Sequence, residues 1–338
     1  MPKNKSFKFW IDASRKASLG QSMTPYILGV LLATSSSLQN ENLEVNWLLA
    51  LAGLVGVAFA HMGINLLDDY FDYKKGAVAQ RQALLDGGMR ARTHKCSYID
   101  SGEATLRDTL LVASFFLSVA LAVGVVEFVF RGPLVLLFAA IGLIFGVLYA
   151  GPPLRLSYRG FGELVVGFIF GPLVVIPAYF VTAGQIDLIA IWASIPVGLL
   201  ATNIVNAHAI MDFQSDKNAD RTTLVVLIGS KRAGLYVSIA LIVLSYLVLV
   251  LGVSTKAFPF VSLVALITLP MVYGFVKLLK QYVDDSSTSA IRKWWMGPMG
   301  NWDTVQAVGI DWFMIRWYLS RNILMGFVLL LGITSFFR

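Results

Sequence analysis

Four oxygen-bearing side chains, Asn65, Asp68, Asp69 and Asp72, gather where an apolar stretch ends, within HMGINLLDDYFDYKK from His61 to Lys75. On a helix continuing through this stretch, Asn65, Asp69 and Asp72 stand at i, i+4 and i+7 and share one face. Carboxylates this close repel one another unless a cation neutralises them. The spacing therefore implies bound metal. A second acidic run, Asp212, Asp216 and Asp220, recurs every fourth residue at the end of another apolar stretch, which also holds Asn203, Asn206 and His208. If the helix continues, the three stack along one face. Helix C-termini disfavour anions, so these carboxylates need compensation, and a divalent cation supplies it.

The elements that must position these residues are membrane helices. Of 338 residues, 57% are apolar and 14% charged, with a mean hydropathy of +0.71. Soluble domains carry roughly 25% charged residues, which excludes that class. Hydropathy predicts an all-α, polytopic integral membrane protein of about nine spans, roughly 22–39, 47–66, 106–126, 132–150, 162–182, 188–210, 233–252, 257–279 and 319–337, each near the ~20 residues a bilayer requires. The fifth mixes Gly167, Gly171 and Pro172 with Phe168, Phe170, Tyr179 and Phe180, suited to close packing of a bundle around a central apolar cavity. Residues 22–338 read as one membrane-embedded domain.

Residues 1–21 read differently. Lys3, Lys5, Lys8, Arg15 and Lys16 stand beside Phe7, Phe9, Trp10 and Ile11, the pattern of an interfacial segment on anionic lipid. Without an apolar core or a small-residue cleavage site, it is not expected to be a cleaved signal. A net charge of +7 in a soluble protein would suggest nucleic acid, but here the placement points to membrane lipid. Threading nine spans from a cytoplasmic N-terminus leaves only Arg131, Lys256 and Arg338 of the 27 Lys and Arg residues outside. The positive-inside rule then faces both acidic runs to the cytoplasm. The lone Cys96 excludes an intrachain disulfide.

Candidate anion contacts flank the acidic runs. After the first come Lys74, Lys75, Arg81, Arg90, Arg92 and Lys95, with Asp86-Gly87-Gly88 suited to a tight turn. Pro152 and Pro153 stop the fourth span, so a loop presents Arg155, Tyr158 and Arg159, and Glu163 must face the bundle interior. The 281–320 segment holds five of the eight tryptophans, which predicts a segment lying along the membrane surface.

These residues resemble the UbiA superfamily of intramembrane prenyltransferases. Its first motif, Asn-x-x-x-Asp-x-x-Asp, matches Asn65, Asp69 and Asp72, with Asp68 where the family often has Asn; its second, Asp-x-x-x-Asp, matches Asp212 and Asp216. The resemblance implies a Mg²⁺-dependent transfer of a polyprenyl group from its diphosphate to an acceptor. It assigns Asn65, Asp69, Asp72, Asp212 and Asp216 to catalysis, the four aspartates being metal ligands. It also implies that Asp68, Lys74, Arg155, Arg159, Lys217 and Arg221 touch the diphosphate and that Tyr149 and Asn206 orient the acceptor or a metal ligand. A bacterial or archaeal inner membrane is the expected location, with the site facing the cytoplasm. Magnesium suits the two opposed motifs, because it bridges one or two carboxylates to substrate phosphates and keeps several waters, so that two or more ions would hold a diphosphate between them.

Within the superfamily, the stretches Tyr70 to Gly76 and Tyr158 to Glu163, together with Asn206, resemble the branch that prenylates the aromatic acceptor 1,4-dihydroxy-2-naphthoate in menaquinone biosynthesis. The chain departs from that branch at His208, Ala209 and Met211, and at Asp220-Arg221. The same chemistry on 4-hydroxybenzoate, homogentisate or a glycerol lipid is the alternative. From other classes, a cation-coupled transporter would keep its ionisable residues near the bilayer midplane, and a lipid phosphotransferase would break P–O rather than C–O.

Overall fold

The computed structural model describes residues 5–76, 79 and 96–337. Lys3, Arg81, Arg90, Arg92, Lys95, the Asp86-Gly87-Gly88 turn and Arg338 lie outside the described residues. Nine long elements build the bundle among those described: α1 Gly20–Gln39, α2 Trp47–Lys75, α3 Leu106–Arg131, α4 Leu134–Ala150, α5 Gly162–Ala183, α6 Leu188–Met211, α7 Lys231–Ser254, α8 Phe260–Asp284 and α9 Asp311–Thr334. Seven of them, α2, α3 and α5 to α9, are long and apolar enough to cross a membrane. The α4 helix is apolar but has 17 residues, and α1 carries Gln21, Ser22, Thr24 and three consecutive serines, Ser35 to Ser37.

Burial follows composition. Apolar on all sides, α6 sits at the centre beside α9, where Val197, Leu200, Ile204, Phe313, Ile323 and Phe327 are almost wholly buried. The periphery is α3, whose Leu121, Val129 and Phe130 face outward. Helix starts are fixed by side-chain oxygens. Asn46 accepts from the Leu49 amide at 3.0 Å to open α2, and Thr105 and Asp108 form a capping box on α3.

Two elements differ from the simple span pattern in ways that matter for the site. The α2 helix runs past its apolar stretch to Lys75, so the whole first motif is helical. The α5 helix is broken into Gly162–Phe170 and Pro172–Ala183, since Pro172 starts the second half without an amide donor. At the break, a Cβ on Gly171 would lie 2.6 Å from the Gly198 Cα of α6. Only glycine lets the two backbones approach this closely.

The tryptophan-rich segment does not simply lie along a surface. Trp302, Trp312 and Trp317 are buried in the bundle, Trp295 packs against Gly274, and Trp294 alone of the five is 91% exposed. Trp312 is buried because it stacks on Tyr282 at 5.7 Å between ring centroids. The N-terminal Phe7–Ala13 helix is likewise tied down, since Trp10 is buried and packs edge-on against Tyr98 at 6.1 Å.

Candidate active site

A cavity of about 750 Å³ runs through the bundle between α1 to α6 and α9. Most of its wall is apolar. One end is polar, lined by Arg15, Asn65, Asp68, Tyr149, Asp212, Asp216 and Arg221. Asp69 and Asp72 stand just behind that wall, each 1% exposed.

The first motif is organised by the N-terminal segment. Arg15, in a left-handed backbone conformation with φ 62°, donates from Nη2 to the Asn65 carbonyl at 2.7 Å and to Asp68 Oδ2 at 2.9 Å. The same nitrogen lies 3.1 Å from Asp69 Oδ1. Burial opposes the Arg15 charge, but Asp69 and then Asp68 outweigh it and raise its pKa above the ordinary value. The Asn65 side chain turns the other way, donating to the Ser14 carbonyl at 2.9 Å and to Ser18 Oγ at 3.1 Å. Below the motif, the Tyr98 hydroxyl donates to Asp69 Oδ2 at 3.3 Å, and buried Cys96 reaches the Asp69 carbonyl at 3.5 Å. Burial first and Asp69 next push the Tyr98 pKa up, so it stays a donor.

The second motif forms where α6 stops. The Met211 carbonyl accepts from the Tyr282 hydroxyl at 2.8 Å, Asp212 takes a non-helical turn, and a short Phe213–Asn218 helix restarts the chain. Asp216 still follows Asp212 by one turn, its amide donating to the Asp212 carbonyl at 2.7 Å. Asp220 does not continue the stack. It is exposed, with φ 51°, and this left-handed turn swings Arg221 inward so that its amide donates to the Asp216 carbonyl at 2.9 Å. His208 lies 3.8 Å from Asp212 and packs edge-on against Phe313.

Arg221 and Tyr158 join the two motifs. Burial opposes the Arg221 charge, yet Asp216 and then Asp72 hold its pKa well above the ordinary value. The Tyr158 hydroxyl donates to Asp72 Oδ1 at 2.5 Å. The Tyr158 ring lies 3.8 Å from Lys75 Nζ and 5.4 Å from the Arg221 guanidinium carbon. Backbone bonds lock the loops that carry them. Gly160 donates to the Thr222 carbonyl at 2.6 Å, and Glu163 Oε1 accepts from the Leu224 amide at 3.0 Å. Glu163 faces inward, as its cost in lipid requires.

Other expected site residues fall away from the cavity wall. Asn206 donates to the Gly234 carbonyl at 2.9 Å and to Ser238 Oγ at 2.8 Å, so it fastens α6 to α7 rather than facing a substrate. Lys74, Lys217 and Arg159 are exposed, and Arg155 is half-buried behind the wall. Sequence reasoning missed Arg15 as a site residue because it stands in a basic run that suits lipid equally well. Tyr158 was visible in its loop, but nothing local marks its hydroxyl as a partner of Asp72.

Among the described residues, no three His, Cys, Asp or Glu side chains form a ready-made metal cage. Paired buried carboxylates, with Asp212 Oδ1 lacking a hydrogen-bond partner among the described residues, instead fit Mg²⁺, which draws only one or two ligands from protein and the rest from phosphate and water.

Fold and site define a multi-pass integral membrane enzyme whose polar centre opens onto an apolar cavity. Residues 22–297 match the UbiA prenyltransferase family, and the chain belongs to it as a prenyltransferase. It is 29% identical over 225 residues to a 1,4-dihydroxy-2-naphthoate octaprenyltransferase of Bacillus subtilis (strain 168), spanning 65% of this chain and 66% of that protein. It is 28% identical over 250 residues to the protein of the same description in Mycobacterium tuberculosis, spanning 74% and 80%. A UbiA homolog from Archaeoglobus fulgidus, solved bound to DMAPP and Mg²⁺, shares the fold with a TM-score of 0.53 and 15% identity over 93% of this chain and 98% of that one.

Proposed function

We propose that the protein transfers a polyprenyl group from its diphosphate to 1,4-dihydroxy-2-naphthoate, in a Mg²⁺-dependent step of menaquinone biosynthesis. The observation that carries this reading is the pairing of two buried acidic motifs across Arg221 at the polar end of an apolar cavity. Asp69, Asp72, Asp212 and Asp216 would hold Mg²⁺, which when bound neutralises the diphosphate and makes it a stable leaving group. Asn65 and Asp68 complete the first motif, while Arg15 and Arg221 face the diphosphate oxygens as charge-assisted donors.

The apolar wall takes the isoprenoid and excludes water. As the allylic C–O bond breaks, its electron pair leaves with the diphosphate. The π-face of Tyr149, on the wall near the acid motifs, suits the allylic cation. The electron-rich acceptor carbon then forms the new C–C bond and sheds the group it carried, a proton or, at the carboxylate-bearing carbon, CO₂, whose bonding pair returns to the ring. The naphthoate acceptor is supported by the descriptions of the Bacillus and Mycobacterium relatives. The same reading places residues 22–338 as one domain in a bacterial or archaeal inner membrane, with the basic ends of the helices and the site on the cytoplasmic side.

The test is transfer of labelled prenyl diphosphate in membranes containing the chain, with naphthoate, hydroxybenzoate, homogentisate and glycerol-lipid acceptors offered in parallel. Asp69→Ala and Asp212→Ala are expected to abolish product while the protein still inserts, and EDTA to do so reversibly on Mg²⁺ addition. Retained transfer in both variants would refute the assignment, and a product formed by P–O cleavage would replace the reaction class.

A further inference from the structure

The cavity ends, opposite the acid motifs, on a second polar group. Glu127 of α3 is 9% exposed and Tyr26 of α1 is 3% exposed. Both line the cavity, and among the described residues neither Glu127 Oε1 nor the Tyr26 hydroxyl has a hydrogen-bond partner. They crowd the same point of α2, where a Cβ on Gly53 would fall 2.5 Å from Glu127 Oε1 and closer still to the Tyr26 hydroxyl. Glycine leaves the room that the two polar tips occupy.

An ionisable group inside a span is costly, and a buried polar atom without a partner adds to that cost. The neighbouring wall offers no relief, being Val123, Val135, Phe138 and Val181. Among the described residues, Tyr26, Gly53 and Glu127 are the wall residues farthest along α1, α2 and α3 from the acid motifs. One turn beyond Glu127, Arg131 donates to the carbonyls of Val181 and Thr182 at 2.7 and 2.9 Å and ties α3 to the end of α5. Gly53 stands fifteen residues before Asp68 on one continuous helix, a separation of about 22 Å, or roughly four to five extended isoprene units.

We propose that Glu127 and Tyr26 form a polar end-stop that sets the length of prenyl chain held in the cavity. The inference rests on the prenyl-transfer reading. Each isoprene unit short of the pair buries more apolar surface. A unit pressed against it meets a carboxyl and a phenol that hydrocarbon cannot satisfy, so donors longer than the channel gain nothing further.

The test uses the full-length protein in lipid nanodiscs with Mg²⁺, naphthoate and an equimolar mixture of donors of three to eight isoprene units, with products resolved by mass spectrometry. Wild-type yield is expected to rise up to four or five units and then stop rising. In Glu127→Leu, the ratio of eight-unit to four-unit product is expected to increase about threefold or more, because an apolar end accepts the extra chain. Glu127→Gln, still polar, keeps the wild-type ratio. Tyr26→Leu serves as the second variant, with a shift in the same direction. A merely structural role lowers all products together and leaves the ratio alone. Unchanged ratios in both leucine variants, with transfer intact, would overturn the end-stop alone. Absence of transfer from every donor by the wild type would overturn the prenyl-transfer reading, and the end-stop with it.

Discussion

Replacing Tyr158 by Phe removes one oxygen and leaves the ring that Lys75 and Arg221 face. The lost interaction is the 2.5 Å hydrogen bond from the hydroxyl to Asp72 Oδ1. Burial, and then Asp72, raise the Tyr158 pKa, so the hydroxyl remains a donor throughout the physiological range. Tyr158 is 8% exposed and Asp72 is 1% exposed, so water replaces the bond poorly. A hydrogen bond to a charged group contributes about 1.5–3 kcal/mol. Taking about 2 kcal/mol, a reaction that depends on Asp72 being held in this orientation loses roughly thirtyfold in kcat/KM. The assay is transfer in membranes at a series of Mg²⁺ concentrations, with protein level fixed by immunoblot. The loss should be largest at limiting Mg²⁺, because a freed Asp72 must be reoriented at each binding event. A kcat/KM within twofold of wild type at every Mg²⁺ concentration would refute the view that Tyr158 orients the first motif.

Two further outcomes follow from the geometry. Gly198→Val places a side chain where the Gly167 carbonyl would lie 2.7 Å from its Cβ; such overpacking costs about 1–3 kcal/mol and should lower the thermal midpoint of the detergent-solubilised protein, whereas an unchanged midpoint would show that α5 and α6 separate freely. Arg15→Lys keeps the charge but not the planar fork, and because the Arg15 side chain is 34% exposed the loss is discounted for screening to about 1 kcal/mol, roughly a fivefold fall in kcat/KM; an unaltered rate would remove Arg15 from the site.

Much of this arrangement could be read from the chain because hydropathy and helical spacing are local signals. The α2 and α6 stretches and the i, i+4, i+7 spacing of Asn65, Asp69 and Asp72 need no knowledge of neighbours. What the sequence hid depends on distant partners. Asn206 is polar and six residues before Asp212, which suits a substrate contact, yet its orientation toward Ser238 is decided by how α6 packs on α7. Periodicity placed Asp220 on the face of Asp212 and Asp216, but α6 stops at Met211, where the Tyr282 hydroxyl takes a helix-ending carbonyl. Arg15 was hidden for the opposite reason. Its neighbours Lys8 and Lys16 are exposed, and only the fold of the N-terminal segment brings Arg15 against Asp68.

The backbone bond from Gly160 to Thr222 has a consequence for how the site is held. It ties the connection after α4 to the connection after α6, the loops that carry Tyr158 and Arg221. The other side of the mouth has no such rung among the described residues. There Arg15, Asn65 and Ser18 hold the N-terminal segment to α2 by side-chain bonds, and Trp10 packs in one apolar cluster with Met62 and Leu66 of α2. The two sides of the mouth are thus held differently, one by a backbone rung between its loops and the other by the side-chain bonds of Arg15 and Asn65 above an apolar seam.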